Sequence, residues 1–319
     1  GLPALRAAVA ADLNQQSSGL AYRADEVIIT AGAQEAIMLA LLALVNPDDQ
    51  VLLPTPRYSA YDAAVALCGG RSIDLPTEQS DGFILRAATI ERSLTPHSRL
   101  LVLMSPANPT GAVIPPDELA AIAQLAVERD LLVISDEIYS RLLVDGVAHQ
   151  SIAALPGMRE RTVTINGCSK SYAMTGWRVG WLAGPQEWIA ELIETRHTLS
   201  VNTATASQYA ALAALTGPQD HLAQMRHAYA DRRRLVQAWC DRLGFSYAPP
   251  QGAFFVYADV SSSGCGAAAF AARMRELAHI QLQPAAEFAD RHDRHIRFSL
   301  AQSPELIETA FSRIADALK

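Results

Sequence analysis

Apolar runs of strand length alternate with helical patterns through the first half of the chain, and this alternation restricts the architecture more than any other feature. "EVIIT" precedes "QEAIMLALLALV", "QVLLP" precedes "YSAYDAAVALC", "RLLVLMS" precedes "DELAAIAQLAVERD", and "LLVISDEIY" follows. The pattern predicts an α/β layer fold with a mostly parallel sheet. The runs are apolar on both faces, as a sheet sandwiched by helices requires. Ligands of such sheets sit at the carboxyl ends of the strands. That rule singles out Gly32-Ala33-Gln34, Ser105 to Gly111, Asp136 to Tyr139, and Ser169-Lys170.

From about Gly217 the texture changes to a long charged helical stretch, "QDHLAQMRHAYADRRRLVQAWCDRL", followed by "GAFFVYADV", an alanine-rich helix, "HIRFSLA" and a last amphipathic helix. This predicts a large domain over 1–217 and a smaller C-terminal α/β domain over 218–319 behind a long linking helix. With 319 residues, half of them apolar and 18 % charged, the chain can bury cores for both. A net charge of −7 leaves no electrostatic footprint for nucleic acid or an anionic membrane, which makes small-molecule chemistry the expectation. The longest apolar run, "IMLALLALV", is too short to span a bilayer. Cys68, Cys168, Cys240 and Cys265 are scattered without a CxxC pair, so neither a zinc cluster nor a disulfide framework is indicated, and a reducing cytoplasm fits best.

One stretch carries the chemistry. In "GCSKSYAMTGWRVG", residues 167 to 180, a lysine follows small residues and an arginine stands eight positions beyond it. An isolated lysine is most often a solvated surface charge. Here, however, every position satisfies the attachment pattern of class I and II aminotransferases, and over essentially its whole length the chain resembles pyridoxal-phosphate-dependent aminotransferases of the aspartate aminotransferase fold. The chemistry accounts for the spacing. A lysine amine forms a Schiff base with an aldehyde cofactor and, once displaced by substrate, is freed as a base at the same carbon. A planar guanidinium suits the cofactor phosphate. The resemblance therefore assigns Lys170, with Ser169 beside it, to the aldehyde end of pyridoxal 5'-phosphate and Arg178 to the phosphate end.

Further motifs fill in the site. In "SDEIY" a carboxylate ends a buried-strand pattern, where desolvation calls for a cationic partner. The resemblance gives Asp136 to the protonated pyridine nitrogen, which keeps the ring an electron sink, and Tyr139 to the phenolate oxygen. "SPANPTG" reads by composition as a turn, but the resemblance places Asn108 at the phenolate oxygen, near the substrate carboxylate. "TAGAQEAI" is a glycine turn opening a helix; beside the other motifs it makes Ala33 and Gln34 phosphate contacts. Tyr58 in "PRYSAY" matches the aromatic that stacks on the ring. A half-buried guanidinium in "HIRFSLA" asks for an anion, and by resemblance Arg297 anchors the substrate α-carboxylate. The segment "LSVNTATASQYAAL" at 199–212 resembles the loop that reaches toward the partner subunit's cofactor, which implies a homodimer.

The sequence departs from the pattern in places. Ala285 stands where relatives commonly have Pro-Gly after the strand, and Gln34 stands where some aspartate-specific relatives have lysine, which leans away from a dicarboxylate substrate. His292 and His295 are spaced for metal, but a charged loop without a second ligand cluster reads as a solvated turn. The chain opens at "GLPALR", inside a motif that follows an N-terminal arm in the family; the arm's glycine and tyrosine are expected upstream. The expected function is transamination between an α-amino acid and a 2-keto acid. The alternatives are a lyase, cyclase or oxidase reaction on the same scaffold, or the ligand-sensing domain of a transcriptional regulator.

Overall fold

The computed structural model describes residues 1–144 and 146–319. Among them, seven strands form one sheet: β1 (Val27–Thr30), β2 (Gln50–Thr55), β3 (Arg71–Pro76), β4 (Ser98–Met104), β5 (Leu132–Asp136), β6 (Thr162–Gly167) and β7 (Gly180–Ala183). Their order is β1-β7-β6-β5-β4-β2-β3. The pairs from β6 through β5, β4 and β2 to β3 are parallel. β7 is antiparallel to both of its neighbours, so β1 again runs with β6. The carboxyl ends of β1, β2, β4, β5 and β6 therefore share one edge, and β7 begins there.

Alternate side chains of these strands enter different cores, as the pleat demands. Val51, Leu100 and Ile134 pack with Ile37, Leu41 and Leu44 of the helix Ala33–Leu44, whereas Leu52, Leu101 and Val133 pack with Leu119, Ile122 and Ala126 of the helix Pro116–Glu128. The sheet is covered on both faces, and this is why its strands read as continuous apolar runs.

A second, antiparallel sheet contains β8 (Ser246–Tyr247), β9 (Phe255–Asp259), β10 (Gln283–Pro284) and β11 (His295–Ser299), in the order β10-β11-β9-β8. It shares a core with the long helix Asp220–Leu243 and the C-terminal helix Pro304–Ala317 through Val236, Trp239, Val256, Phe298, Phe311 and Ile314. Among the described residues, no helix is long and apolar enough to cross a membrane.

Two local expectations are corrected. The segment 199–212 is mostly not a loop: the helix Gln186–Ser200 ends in it and the helix Thr205–Thr216 begins in it, leaving Val201–Ala204 between them. His295 is not in a solvated turn. It lies buried on β11, stacked on Tyr257 at 4.7 Å between ring centroids, with Nδ1 3.2 Å from Asp290 and Nε2 3.0 Å from Gln79. Its packing on β11 against Tyr257 and Phe83 outweighs the charged loop that precedes it, in which His292 is indeed exposed.

Candidate active site

Glycine creates the site's floor. β6 and β7 pair Gly167 with Gly180, and β1 pairs Thr30 with the same Gly180. A Cβ on Gly167 would lie 2.9 Å from the Gly180 Cα, and one on Gly180 would lie 2.7 Å from the Ala33 nitrogen. Only hydrogen fits at these crossings. The close approach brings three chain segments together: the turn Cys168–Ser171 after β6, the approach to β7, and the amino end of the helix Ala33–Leu44. Gly32, at φ 86°, opens that helix, and a Cβ there would meet Arg178 Nη2 at 2.5 Å. Arg178 has a left-handed backbone of its own, φ 49°, an uncommon conformation for a non-glycine residue and one that clusters at functional sites.

Above this floor lies a cleft of about 360 Å³, a volume within the usual range for small-molecule sites. All ten residues singled out in the sequence line it: Ala33, Gln34, Tyr58, Asn108, Asp136, Tyr139, Ser169, Lys170, Arg178 and Arg297. Nine come from the shared edge of the large sheet. Arg297 reaches across from β11, together with Phe254, Phe255 and Ser299. A larger cavity of about 480 Å³ opens between residues 74–83 and 290–295, where Arg291 pairs with Asp74 and His295 Nδ1 lies 3.2 Å from Asp290.

The three cations of the cleft are distributed over it. Lys170 Nζ stands 5.9 Å from the Tyr139 ring centroid and 5.7 Å from that of Phe254. Burial, with the charge of Arg297 next, lowers its pKa against the opposing pull of Asp136, so more of the amine is neutral and nucleophilic near pH 7. Arg178 donates from Nη1 to the Thr175 carbonyl at 3.0 Å and from Nη2 to the Ala31 carbonyl at 3.3 Å. Arg297 lies over the Phe255 ring at 4.2 Å and the Phe288 ring at 4.8 Å, and donates to Asn108 Oδ1 at 2.7 Å and to Gln283 Oε1. Every one of these acceptors is a neutral oxygen, and Arg297 Nε is buried with no hydrogen-bond partner among the described residues. Two guanidiniums in this condition fit two anions.

The cleft's carboxylate is Asp136, at the end of β5. Tyr61 donates its hydroxyl to Oδ2 at 2.7 Å, and the Ile138 backbone N–H donates to Oδ1 at 3.1 Å. Burial nevertheless pushes its pKa up to about 6, because these two bonds and the charge of Lys170 offset only part of the desolvation. A cation against this carboxylate would complete the compensation. Burial also raises the Tyr139 phenol, and the Asp136 charge adds to the effect, which keeps the phenol protonated and a donor. Tyr58, at the open side, donates to Gln34 Oε1 at 3.2 Å. The donor set therefore fits a group with an aldehyde, a phosphate and a basic ring nitrogen.

Some lining residues were not legible in the sequence. Phe254 and Phe255 lie in a strand pattern, but nothing local ties it to the motifs that end at Arg178 or to Arg297. Met104, Ile37, Ile138 and Thr175 line the cleft as flanks of the motifs. Tyr61 carried no signal, since an aromatic at the start of a helix reads as core packing.

Comparison with known proteins gives a consistent result. The model of the family "Aminotransferase class I and II" matches residues 1–314. The aspartate aminotransferase of Pyrococcus abyssi is 36 % identical over 321 residues, covering 100 % of this chain and 82 % of that protein. The arginine–pyruvate transaminase of Pseudomonas aeruginosa is 39 % identical over 316 residues, covering 99 % and 80 %. Among solved structures, the aromatic aminotransferase of Pyrococcus horikoshii superposes with a TM-score of 0.97 at 36 % identity, covering 100 % of this chain and 86 % of that one.

Proposed function

The chain belongs to the class I and II aminotransferases and is an enzyme of amino-group transfer, and from that premise we propose that it uses pyridoxal 5'-phosphate held at Lys170. The observation that carries this reading is that all ten residues the family resemblance singles out, from motifs spread between positions 33 and 297, line one cleft. The lysine inventory supports it: the chain has two lysines, Lys170 and Lys319, and Lys319 is an exposed terminal residue paired with Asp316.

In this reading Arg178 and the first backbone N–H groups of the helix Ala33–Leu44 hold the phosphate, Asp136 holds the charge at the ring nitrogen, Asn108 and Tyr139 bind the phenolate oxygen, and Tyr58 covers the ring. The bound group supplies an aldehyde carbon and an electron-withdrawing ring. Arg297 and Asn108 fix the substrate carboxylate, and with it the orientation about Cα. Lys170 Nζ, whose lowered pKa leaves more of the amine neutral, would be the base that takes the proton from Cα.

The substrate class follows from counting cations. Among the described residues, those lining the cleft are Lys170, Arg178 and Arg297. With one at the aldehyde, one at the phosphate and one at the α-carboxylate, none remains for a distal carboxylate, and Gln34 adds no charge. A neutral or aromatic donor is favoured over aspartate.

The same reading includes a homodimer. A shallow groove that shares Gln34 and Arg178 with the cleft runs past Leu67 and Leu199, and Leu67, Leu199, Val201 and Tyr209 are exposed apolar side chains suited to a second copy. It also includes a reducing, cytoplasmic setting, supported by four free thiols, and a division into domains near Gly217, supported by a core whose residues, partly buried ones included, all come from Tyr229 onward.

The test mixes the enzyme, loaded with pyridoxal phosphate, with single amino acids and no keto acid. About one equivalent of 2-keto acid should be released per subunit, and release should then stop until a keto acid is added. Continuing release of ammonia, or oxygen consumption, would move the reading to a lyase or an oxidase. Borohydride should trap the cofactor on the Lys170 peptide, and Lys170→Ala should abolish the adduct.

A further inference from the structure

We infer that Tyr61 is a positioning residue for Asp136, fixing the orientation of its carboxylate and keeping it ionised toward the cleft. The inference rests on the reading in which Asp136 meets the cofactor's ring nitrogen. Tyr61 does not line the cleft. It belongs to the helix Ala60–Leu67, is 1 % exposed, and its ring is locked in the core that includes Ile37, Val102 and Ile134. From there its hydroxyl reaches under the site to Asp136 Oδ2 at 2.7 Å, while the Ile138 N–H takes Oδ1. One donor on each oxygen removes the carboxylate's freedom to rotate.

The two donors are not equivalent. The Ile138 N–H is two residues along the chain and follows Asp136 wherever β5 goes, whereas Tyr61 ties the carboxylate to an element 75 residues away in sequence. The remaining ionisable groups that act on Asp136 oppose one another: Glu137 raises its pKa and Lys170 lowers it, while Tyr139 stays a neutral phenol. Lys170 would surrender part of its charge on joining the cofactor. Tyr61 is then the side-chain interaction that keeps Asp136 charged throughout. Burial and the neighbouring Asp136 charge hold the Tyr61 phenol well above its ordinary pKa, so it donates at every working pH.

The experiment compares wild type, Tyr61→Phe, Asp136→Asn and the double variant as full-length proteins, each checked for native near-ultraviolet circular dichroism. Titration of the Asp136 carboxyl is followed by infrared difference spectroscopy in the cofactor-free protein, with Asp136→Asn as the reference. Tyr61→Phe should move the midpoint upward by about one pH unit, since a hydrogen bond to the charged form is lost. Pyridoxal phosphate affinity should fall about tenfold, the same coupling expressed in binding. In the Asp136→Asn background the same change should alter affinity less than about threefold, because the coupling has gone. If Tyr61→Phe does not fold, Tyr61→Met, a flexible filler without a hydroxyl, should show the same upward midpoint. An unmoved midpoint, or an equal loss of affinity in both backgrounds, would overturn the inference. A wild type that takes up no pyridoxal phosphate would instead overturn the cofactor reading, and the carboxyl titration would still decide the role of Tyr61.

Discussion

Asp136 and Glu137 are adjacent carboxylates, both buried at the end of β5, and they behave in opposite ways. Asp136 turns to the cleft, where two donors leave its charge under-compensated, and burial pushes its pKa up to about 6. Glu137 turns away from the cleft into a closed polar cluster. Its Oε1 accepts from Ser135 at 2.9 Å and from Ser151 at 2.6 Å, and Oε2 lies 3.0 Å from His149 Nε2. Burial alone would raise this carboxyl too, but the His149 charge and the three hydrogen bonds outweigh it and hold the pKa below its ordinary value. Equal burial thus produces opposite shifts, and partner supply decides between them. The under-supplied carboxylate marks the site; the fully supplied one belongs to the scaffold.

The largest expected effect separates the two in catalysis. Asp136→Asn should lower turnover about 10²–10³-fold, the scale for losing a main electrostatic stabiliser, while Glu137→Gln should leave turnover per folded molecule within a few-fold. Single-turnover keto acid release measures both. Comparable losses in the two variants would erase the distinction.

The pH dependence of stability should differ in sign, by up to about 3 kcal/mol for Asp136. Its folded pKa, about 6, exceeds an unfolded value near 3.9. Between those values the native state binds more protons, so its contribution to stability falls as pH rises, by about 1.4 kcal/mol for each pH unit that separates them. Glu137 is depressed, so its contribution is present above an unfolded value near 4.3 and is lost as pH falls through the folded pKa. Urea midpoints of the cofactor-free protein, measured from acid to neutral pH, should therefore lose the downward slope in Asp136→Asn and part of the acid-side loss in Glu137→Gln.

Glu137→Gln should also destabilise the chain by about 1–3 kcal/mol at pH 7, because an amide cannot accept from all three partners of the carboxylate. A change in the midpoint at unchanged slope measures it. The smallest effect tests the rim of the cleft. Gln34→Lys would add a partly exposed cation, worth up to about 1 kcal/mol, and should raise kcat/KM for aspartate relative to phenylalanine by no more than about fivefold. A ratio that falls instead would place Gln34 away from the substrate's distal group.

Local pattern made much of this molecule legible before its fold was known. The alternation of apolar runs and helical patterns specified the sheet, because a strand buried on both faces must be apolar throughout. The residues at the strand ends specified most of the cleft, because a parallel sheet brings those ends to one edge. Lys170 and Arg178 were readable as a pair because the whole stretch 167–180 matches the family's attachment pattern, whose Gly167 and Gly180 pair where β6 and β7 leave no room for a Cβ. What pattern could not supply was contact between segments far apart in sequence. His295 reads as part of a charged loop, and only the packing of β11 against Tyr257 and Asp290 buries it. Phe254 and Phe255 read as an ordinary strand, and only the placement of β9 beside Arg297 brings them to the cleft. Tyr61 reads as core, and only the approach of its helix to the end of β5 sets its hydroxyl on Asp136. Residue type and spacing encode the chemistry a short segment offers. Whether a buried group is left under-compensated depends on donors delivered from elsewhere in the chain, and the tertiary structure alone decides that.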